Sequence, residues 1–359
     1  MDTNERACMH SKYISLQDQL VDEIAKEVQD ETILRAFRSI PRHIFIQAFY
    51  TRSFPDGVQT WEKTTLNDPR WFEEVYTDRP LITSLDQWNN PNVSSSAPSI
   101  MAKMIQSLRL QPGMTVLEIG TGTGYNAALL ATIVGNEHVT TIDVNESLLE
   151  QARARIEQCV GSGVCVRHAD GRNLPDDMRT IDAILIAASH NKIEPSWIRA
   201  LNQGGRLILN YSTHFSKAFL EAEKVQTGLV GQVASYEGDF MRLHDGQGVK
   251  WEPTTYTTLP VIEECAFIHQ LTNDHDFRFF LQAHKQALTL HHYKKKSIYG
   301  VRDAIGRAVY FSSSQVMGDP SLWEEIKTLY ELFEELARPS RIGRTFSMES
   351  EGTLAFVYH

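Results

Sequence analysis

The stretch Val116-Leu-Glu-Ile-Gly-Thr-Gly-Thr-Gly124 decides the fold, because it joins a short apolar run to a segment typical of a helix. Glycines at such a junction let the backbone pass close to a ligand and adopt dihedral angles that a Cβ atom disfavours. Around this loop, short apolar runs alternate with helical patterns over residues 100–210. The run Ile181-Asp-Ala-Ile-Leu-Ile-Ala-Ala188 is typical of a strand covered on both faces. The sequence therefore predicts an α/β fold with a Rossmann-like, doubly wound core.

The alternation predicts where each element of this core lies. Strands are expected at 115–119, 138–142, 164–168, 181–187 and 206–210, with helices at 125–135, 146–158 and 194–201. Before the core, residues 15–40 predict two helices, the first capped by Ser15 and the second ending at Ile40-Pro41. Residues 51–98 show little periodicity, which predicts a long irregular segment, either a binding lid or a plain surface loop.

The pattern changes again after about residue 250. A helix is expected at 276–290, a hairpin at 298–311 with its turn near Gly306, and a final helix capped by Ser321. We therefore expect three regions. They are N-terminal helices with a substrate-side insertion (1–90), a cofactor-binding core (91–250), and a smaller C-terminal α+β domain (255–359) for which peptide binding is a hypothesis.

Composition limits the partners that this chain is expected to have. The 359 residues carry a formal net charge of −10, and a nucleic-acid binder usually presents a basic face, so no nucleic-acid partner is expected. The polar N-terminus predicts no secretory signal, and no apolar run is long enough for a membrane span. We expect a soluble, cytoplasmic monomer without disulfides or a metal site. No Cys-x-x-Cys pair occurs among its four cysteines, Cys8, Cys159, Cys165 and Cys265.

The glycine loop alone leaves the cofactor open. Gly122-Thr-Gly-Tyr-Asn-Ala127 fits the dinucleotide pattern G-x-G-x-x-A, so NAD stays an alternative, as does a tight turn without a ligand. Glu118 instead completes an E-x-G-x-G-x-G run typical of methyltransferases, and Asp170 follows the third strand, where a carboxylate can meet an adenine amino group. Asp143 suits either cofactor, because both present a ribose diol. The pattern favours S-adenosylmethionine, with predicted contacts at Glu118, Gly120, Thr121, Gly122, Gly124, Asp143, Val144, Asp170, Gly171 and Ala187.

Several further segments match one known family in the same order. Residues 36–46, Ala-Phe-Arg-Ser-Ile-Pro-Arg-His-Ile-Phe-Ile, are similar to its N-terminal proline-arginine segment, and Ser94-Ser-Ser-Ala-Pro-Ser-Ile-Met101 to its T-I-S-(A/Q)-P motif. Ala169–Gly171, Ile181–Leu185 and Leu201–Leu207 continue the match. Over about residues 30–250 the chain thus resembles the protein-L-isoaspartate O-methyltransferase family. The resemblance implies a carboxylate acceptor on a peptide or protein, with Ser94 and Ser96 as catalytic residues.

The chain also departs from the repair enzymes of that family. It continues for about a hundred residues beyond the core and carries a tryptophan-rich insertion at 51–90. Both features resemble the branch encoded beside ribosomally made peptides, such as lanthipeptides and peptides macrocyclised by ATP-grasp enzymes. Members of that branch methylate an aspartate side chain, and the ester then forms an aspartimide or isoaspartate. Isoaspartate repair and a non-catalytic peptide-binding adaptor remain the alternatives.

The expected chemistry needs few special residues. A carboxylate is ionised at neutral pH, so methyl transfer to it requires positioning rather than a general base. Ser94 and Ser96 are predicted to orient the acceptor, although they also fit a segment that only caps a helix near Ser99. His190 could contact the substrate, but its position favours a loop histidine held by a hydrogen bond within the protein. The run His291–Lys296 fits a solvated face or a surface that steers acidic peptides.

Overall fold

The structure is a computed structural model that describes residues 3–213, 215–243, 261–264, 271, 273–293, 298–311, 315–349 and 354–357. The helices within these ranges are α1 (Thr3–Ala25), α2 (Glu31–Ser39), α3 (Arg42–Phe45), α4 (Trp71–Val75), α5 (Pro98–Leu108), α6 (Tyr125–Val134), α7 (Glu146–Val160), α8 (Pro195–Ala200), α9 (His275–His284) and α10 (Pro320–Glu335). None of these helices is long and apolar enough to cross a bilayer.

The strands within the same described ranges form three sheets. The first contains β1 (Ala48–Ser53), β2 (Thr60–Thr65), β3 (Leu81–Leu85) and β4 (Pro91–Ser95). The second contains β5 (Val116–Ile119), β6 (Val139–Asp143), β7 (Cys165–His168), β8 (Ile181–His190), β9 (Leu201–Ser212), β10 (Lys217–Val225), β11 (Gly228–Val233), β17 (Thr345–Glu349) and β18 (Ala355–Phe356). The third contains β12 (Val261–Glu264), β13 (Thr289–Tyr293), β14 (Ile298–Arg302), β15 (Ala308–Phe311) and β16 (Gln315–Gly318).

The second sheet is the predicted core. Its order is β18-β17-β11-β10-β9-β8-β5-β6-β7, and strands β5 to β9 are parallel. All four residues of β5 are buried, as expected for a strand covered on both faces. Since β5 pairs with β6 on one side and β8 on the other, its connections diverge at its carboxyl end and leave a crevice there. The doubly wound α/β fold is thus confirmed.

The N-terminal helices differ in detail from the prediction. Helix α1 begins well before Ser15, which lies inside it rather than at its cap. Helix α2 begins at an Asp30 cap and ends before Pro41 as predicted, because the residue before proline favours an extended conformation. Leu20 and Phe37 are buried, so these helices cover one face of the core.

The segment 48–95 forms an antiparallel sheet, so the prediction of a long irregular segment was wrong. Strand β1 pairs with β2 and β3, and β4 is the edge strand beside β3. Most side chains of β1 and β2 are exposed or only partly buried. These strands are therefore held mainly by backbone hydrogen bonds, and they lack the apolar alternation that reveals a half-buried strand.

The C-terminal region contains the third sheet packed with α9 and α10. The predicted hairpin is present as β14 and β15, with Gly306 at φ 93° in its turn. Helix α10 is capped by Asp319, whose carboxylate accepts a hydrogen bond from the Leu322 N–H, rather than by Ser321. Helix α9 is shorter than predicted, and β17 returns to pair with β11. The end of the chain therefore extends the core sheet, whereas the prediction assigned all of residues 255–359 to a separate domain.

Candidate active site

The glycine loop lies at the carboxyl end of β5 and is tied to the next strand. Gly120 and Gly122 have φ values of 99° and 51°. The Gly120 N–H donates to the Ile142 carbonyl at 2.8 Å, and the Gly122 N–H donates to Asp143 Oδ2 at 3.2 Å. Asp143 Oδ1 accepts from the Asn145 N–H at 3.0 Å, at the start of α7. This carboxylate therefore holds the glycine loop and α7 together, at the point where the ribose diol is predicted.

A cleft of about 600 Å³ opens beside this loop. Its lining includes both predicted catalytic serines and every predicted cofactor residue except Gly124. Gly124 has φ 88° at the N-cap of α6, and a Cβ atom there would lie 3.1 Å from Ala152 and 3.2 Å from Ile156. The third glycine thus permits close packing of α6 on α7 instead of lining the cleft.

Glu118 lies under the loop and is fully buried. Its carboxylate accepts hydrogen bonds from Asn126 Nδ2 at 2.7 Å and from Thr141 Oγ1 at 2.6 Å. Burial raises the pKa of Glu118 to about 7, because the loss of solvation outweighs these two hydrogen bonds. Glu118 therefore joins β5 to α6 and β6 in addition to lining the cleft.

Asp170 and Gly171 follow the end of β7 and also line the cleft. Arg172 Nε donates to both oxygens of Asp170, at 3.0 and 3.1 Å, and this pairing lowers the pKa of the carboxyl. Any Cβ atom at Gly171 would lie 2.2 Å from Cγ2 of Ile119. The Asp-Gly pair therefore combines an ionised carboxylate, as the predicted adenine contact requires, with a close backbone approach to β5.

The serine segment, Ser94 to Ser96 at the end of β4, lies against the glycine loop and lines the same cleft. A Cβ atom on Gly122 would lie 3.7 Å from the Ser94 carbonyl oxygen. The N-cap of α5 is Ala97, which has no side-chain acceptor, and the Ser99 N–H in the first turn donates to Asp78 Oδ1 at 2.8 Å. The alternative that these serines serve only as a helix cap is therefore not what the structure shows.

Arg42 fixes the position of this segment. Its guanidinium is fully buried and donates to four backbone carbonyls, of Val75 (3.0 Å), Thr77 (2.8 Å), Arg79 (3.0 Å) and Ser96 (3.1 Å). Burial lowers the pKa of Arg42 to about 10, which leaves it charged at neutral pH. Arg42 thereby links α3 and the segment after α4 to the serines.

Sequence reasoning missed the roles of Arg42 and Asn126. Arg42 stands in the quoted proline-arginine segment, yet its carbonyl partners carry no side-chain signature. The role of Asn126 had a sequence signal, because it is a polar residue in the first turn of the mostly apolar α6. His190, in contrast, is the hydrogen-bonded histidine that was favoured, since its Nε2 lies 2.7 Å from Glu194 Oε1. The side chains of His291–Lys296 lie outside the described residues.

The chain is similar to the proteins of one known family. The model of the protein-L-isoaspartate(D-aspartate) O-methyltransferase family matches residues 15–248. The chain belongs to this family. It is 31% identical to the protein-L-isoaspartate O-methyltransferase of Opitutus terrae over 224 residues, 62% of this chain and 82% of the relative. It is 32% identical to protein-L-isoaspartate O-methyltransferase 2 of Polaromonas sp., over 58% of this chain and 85% of the relative.

Two solved structures share the fold. A protein-L-isoaspartate O-methyltransferase structure aligns with a TM-score of 0.60 at 22% identity, covering 95% of this chain and 99% of its own. One from Plasmodium falciparum, in complex with S-adenosyl-L-homocysteine, aligns with a TM-score of 0.50 at 18% identity, covering 65% of this chain and 98% of its own. The family membership makes the chain an S-adenosylmethionine-dependent carboxyl O-methyltransferase.

The cleft fits this cofactor. Gly120 and Gly122 leave room along the loop, and the lining contains two buried polar atoms, Ser95 Oγ and Asn126 Oδ1, without a hydrogen-bond partner among the described residues. Buried polar atoms in native proteins are normally paired, so these two are available to a bound ligand. The residues that would hold the cofactor are those of the glycine loop, Asp143 and Asp170 with Gly171.

Proposed function

We propose that the chain methylates an aspartyl side-chain carboxylate in a ribosomally synthesised, post-translationally modified peptide. The observation that carries this proposal is the serine segment, which Arg42 holds against the glycine loop. The sheet β1–β4 leads directly into that segment, and the connections between its strands carry exposed aromatic side chains, Phe54 after β1 (59% exposed) and Trp88 between β3 and β4 (73% exposed). Exposed aromatic side chains favour a protein or peptide partner.

The chemistry follows from the charge of the acceptor. When bound, S-adenosylmethionine supplies a methyl group activated by a sulfonium. An aspartate carboxylate is already ionised at neutral pH, so no residue has to remove a proton from it. No histidine or lysine occurs among the described residues that line the cleft. The chain's task is therefore to align the acceptor, with the hydroxyls of Ser94 and Ser96 donating to the carboxylate oxygen that does not react.

The product of the enzyme is then the methyl ester. The backbone nitrogen of the following residue attacks the ester carbonyl, methanol leaves, and a five-membered aspartimide closes within the peptide. Hydrolysis of that ring gives aspartate or isoaspartate. No residue of this chain is needed for either step.

Isoaspartate repair is the second candidate, and the comparisons favour it specifically. The curated relatives are named protein-L-isoaspartate O-methyltransferases. One solved structure with that description also aligns over 95% of this chain. The extra C-terminal region is therefore not peculiar to enzymes of peptide biosynthesis, and length does not separate the two candidates. A non-catalytic adaptor is not favoured, because the chain belongs to a family of methyltransferases.

The experiment uses precursor peptides encoded near the gene, with and without their other modifications. Each peptide is incubated with the full chain and S-adenosylmethionine and followed by mass spectrometry. The proposal predicts the gain of one methyl group followed by loss of methanol, and no gain when the acceptor aspartate is replaced by asparagine. Methylation of isoaspartyl peptides alone would contradict it and support repair.

A further inference from the structure

A second cleft of about 370 Å³ adjoins the first at the carboxyl end of β8. It shares Arg242 and Leu243 with the first cleft, so the two clefts are adjacent. Its other charged or titratable lining residues are Arg172, His190, Lys192 and Glu194. Neither the predicted cofactor contacts nor the serine segment includes any of these residues.

The charges in this second cleft are unbalanced toward positive. Three cations, Arg172, Lys192 and Arg242, stand against the single carboxylate of Glu194. Both oxygens of Glu194 are already engaged, Oε1 with His190 at 2.7 Å and Oε2 with Lys192 at 3.1 Å. Arg172 is engaged with Asp170 at 2.8 Å. Glu194 therefore has little capacity left to neutralise Arg242.

Arg242 is the cation with no ion pair or side-chain hydrogen bond to any residue in the described part of the chain. Its backbone is nevertheless fixed. The Leu243 N–H donates to the Ser189 carbonyl at 2.8 Å, and the Ser189 N–H donates to the Met241 carbonyl at 2.8 Å. Arg242 thus forms an isolated parallel bridge with Ser189, near the end of β8. This bridge therefore holds an exposed arginine where the two clefts meet.

We propose that the second cleft is an anion subsite that binds a carboxylate of the acceptor peptide other than the one that is methylated. The inference rests on the proposed function in one respect, namely that the acceptor belongs to a peptide lying in the adjoining cleft. A guanidinium matches a carboxylate with two parallel hydrogen bonds. Since one residue spans roughly 3.3–3.6 Å of extended chain, an aspartate or glutamate near the acceptor can reach the junction.

This subsite gives the enzyme a preference among acceptors. Peptides with an acidic residue close to the methylated position bind through Arg242, with Lys192 adding positive potential. Peptides with a basic residue there meet uncompensated like charges. The preference acts on binding rather than on the transfer step, because neither side chain orients the reacting carboxylate.

The test measures steady-state kinetics of the full chain with matched peptides. The peptides differ only in having glutamate, glutamine or lysine at successive positions beside the acceptor. For at least one position, KM with glutamate should be about tenfold lower than with glutamine, the effect of one charge-assisted hydrogen bond, while kcat changes little. The same series is also built on an isoaspartyl acceptor. If only isoaspartyl peptides are methylated, the proposed function fails, and this second series still tests the subsite.

Charge reversal distinguishes the subsite from a structural role. In Arg242→Glu the order should invert, so that the lysine peptide binds better than the glutamate peptide. Lys192→Gln, which changes only the second cleft, should reduce the preference, and Lys26→Gln, just after α1, should leave it unchanged. The inference would be overturned if the natural chain had equal KM values for the glutamate, glutamine and lysine peptides at every position. Retention of the glutamate preference in Arg242→Glu would overturn it as well.

Discussion

Replacing Glu118 with glutamine tests whether a buried carboxylic acid beside the glycine loop makes the fold sensitive to pH. Burial raises the pKa of Glu118 from 4.5 to about 7. At low pH the carboxyl is protonated in both the folded and the unfolded chain. As pH rises through this window, the unfolded chain releases its proton first, so the free energy of unfolding falls. Above the pKa of Glu118 in the folded chain, the free energy of unfolding falls no further on account of this group.

The magnitude follows from the size of the pKa change. A rise from 4.5 to about 7 corresponds to on the order of 3 kcal/mol when the loss is complete. Glutamine has no proton to lose, and its amide can satisfy both partners. Its oxygen accepts from Thr141, and its NH2 group donates to Asn126 Oδ1, which lacks a partner among the described residues, once the Asn126 amide turns over. Glu118→Gln should therefore gain stability relative to the natural chain as pH rises.

The assay is urea unfolding of both proteins without donor at a series of pH values. The difference in unfolding free energy should grow in favour of Glu118→Gln by on the order of 2 kcal/mol between pH 5 and pH 8. Other titrating groups occur in both proteins and cancel in this difference. Glu118→Ala is the matched disruptive variant, and it should lose about 2–4 kcal/mol because the Asn126 amide and the Thr141 hydroxyl lose their shared acceptor and a cavity is left beside them. A difference between the glutamine variant and the natural chain that is independent of pH would refute the reasoning.

Three further substitutions test the rest of the site. Ser96→Ala should slow transfer about tenfold, the effect of one hydrogen bond to a charged group, with donor affinity by calorimetry unchanged; turnover equal to that of a Ser39→Ala control would exclude Ser96. Arg42→Lys keeps the charge but cannot reach all four carbonyls. It should lose about 2–4 kcal/mol in urea unfolding, and an unchanged midpoint would contradict this. Gly171→Ala places a Cβ 2.2 Å from Ile119. It should destabilise the chain by about 1–3 kcal/mol and weaken donor binding, so normal affinity and stability would count against the close approach.

The core could be predicted from sequence because its strands are buried on both faces. Unbroken apolar runs such as Ala183–Ala188 mark strands of this kind, and glycines mark the turn that follows β5. The cleft residues at the ends of these strands could be predicted for the same reason. Gly124 was assigned to the cleft by motif alone, whereas its role depends on how closely α7 approaches α6.

Other features could not be predicted, because they depend on contacts between distant segments. The sheet β1–β4 presents mostly partly buried and exposed side chains, so its sequence lacks a strand period. The function of Arg42 depends on carbonyl groups, which every residue possesses. The return of β17 to β11 pairs residues more than a hundred positions apart, with no local signal for either partner.

The most direct test of the central claim is a competition between two isomeric peptides for limiting enzyme. The peptides share one sequence taken from a candidate precursor and differ only in whether the acceptor is linked as aspartate or isoaspartate. With isotopically labelled S-adenosylmethionine, the ratio of the two kcat/KM values is read from the labelled esters by mass spectrometry. The proposed function predicts a ratio of at least about ten in favour of aspartate, since a site shaped for one acceptor rejects a displaced carboxylate. A preference for the isoaspartyl peptide would contradict the proposal and identify the chain as a repair enzyme.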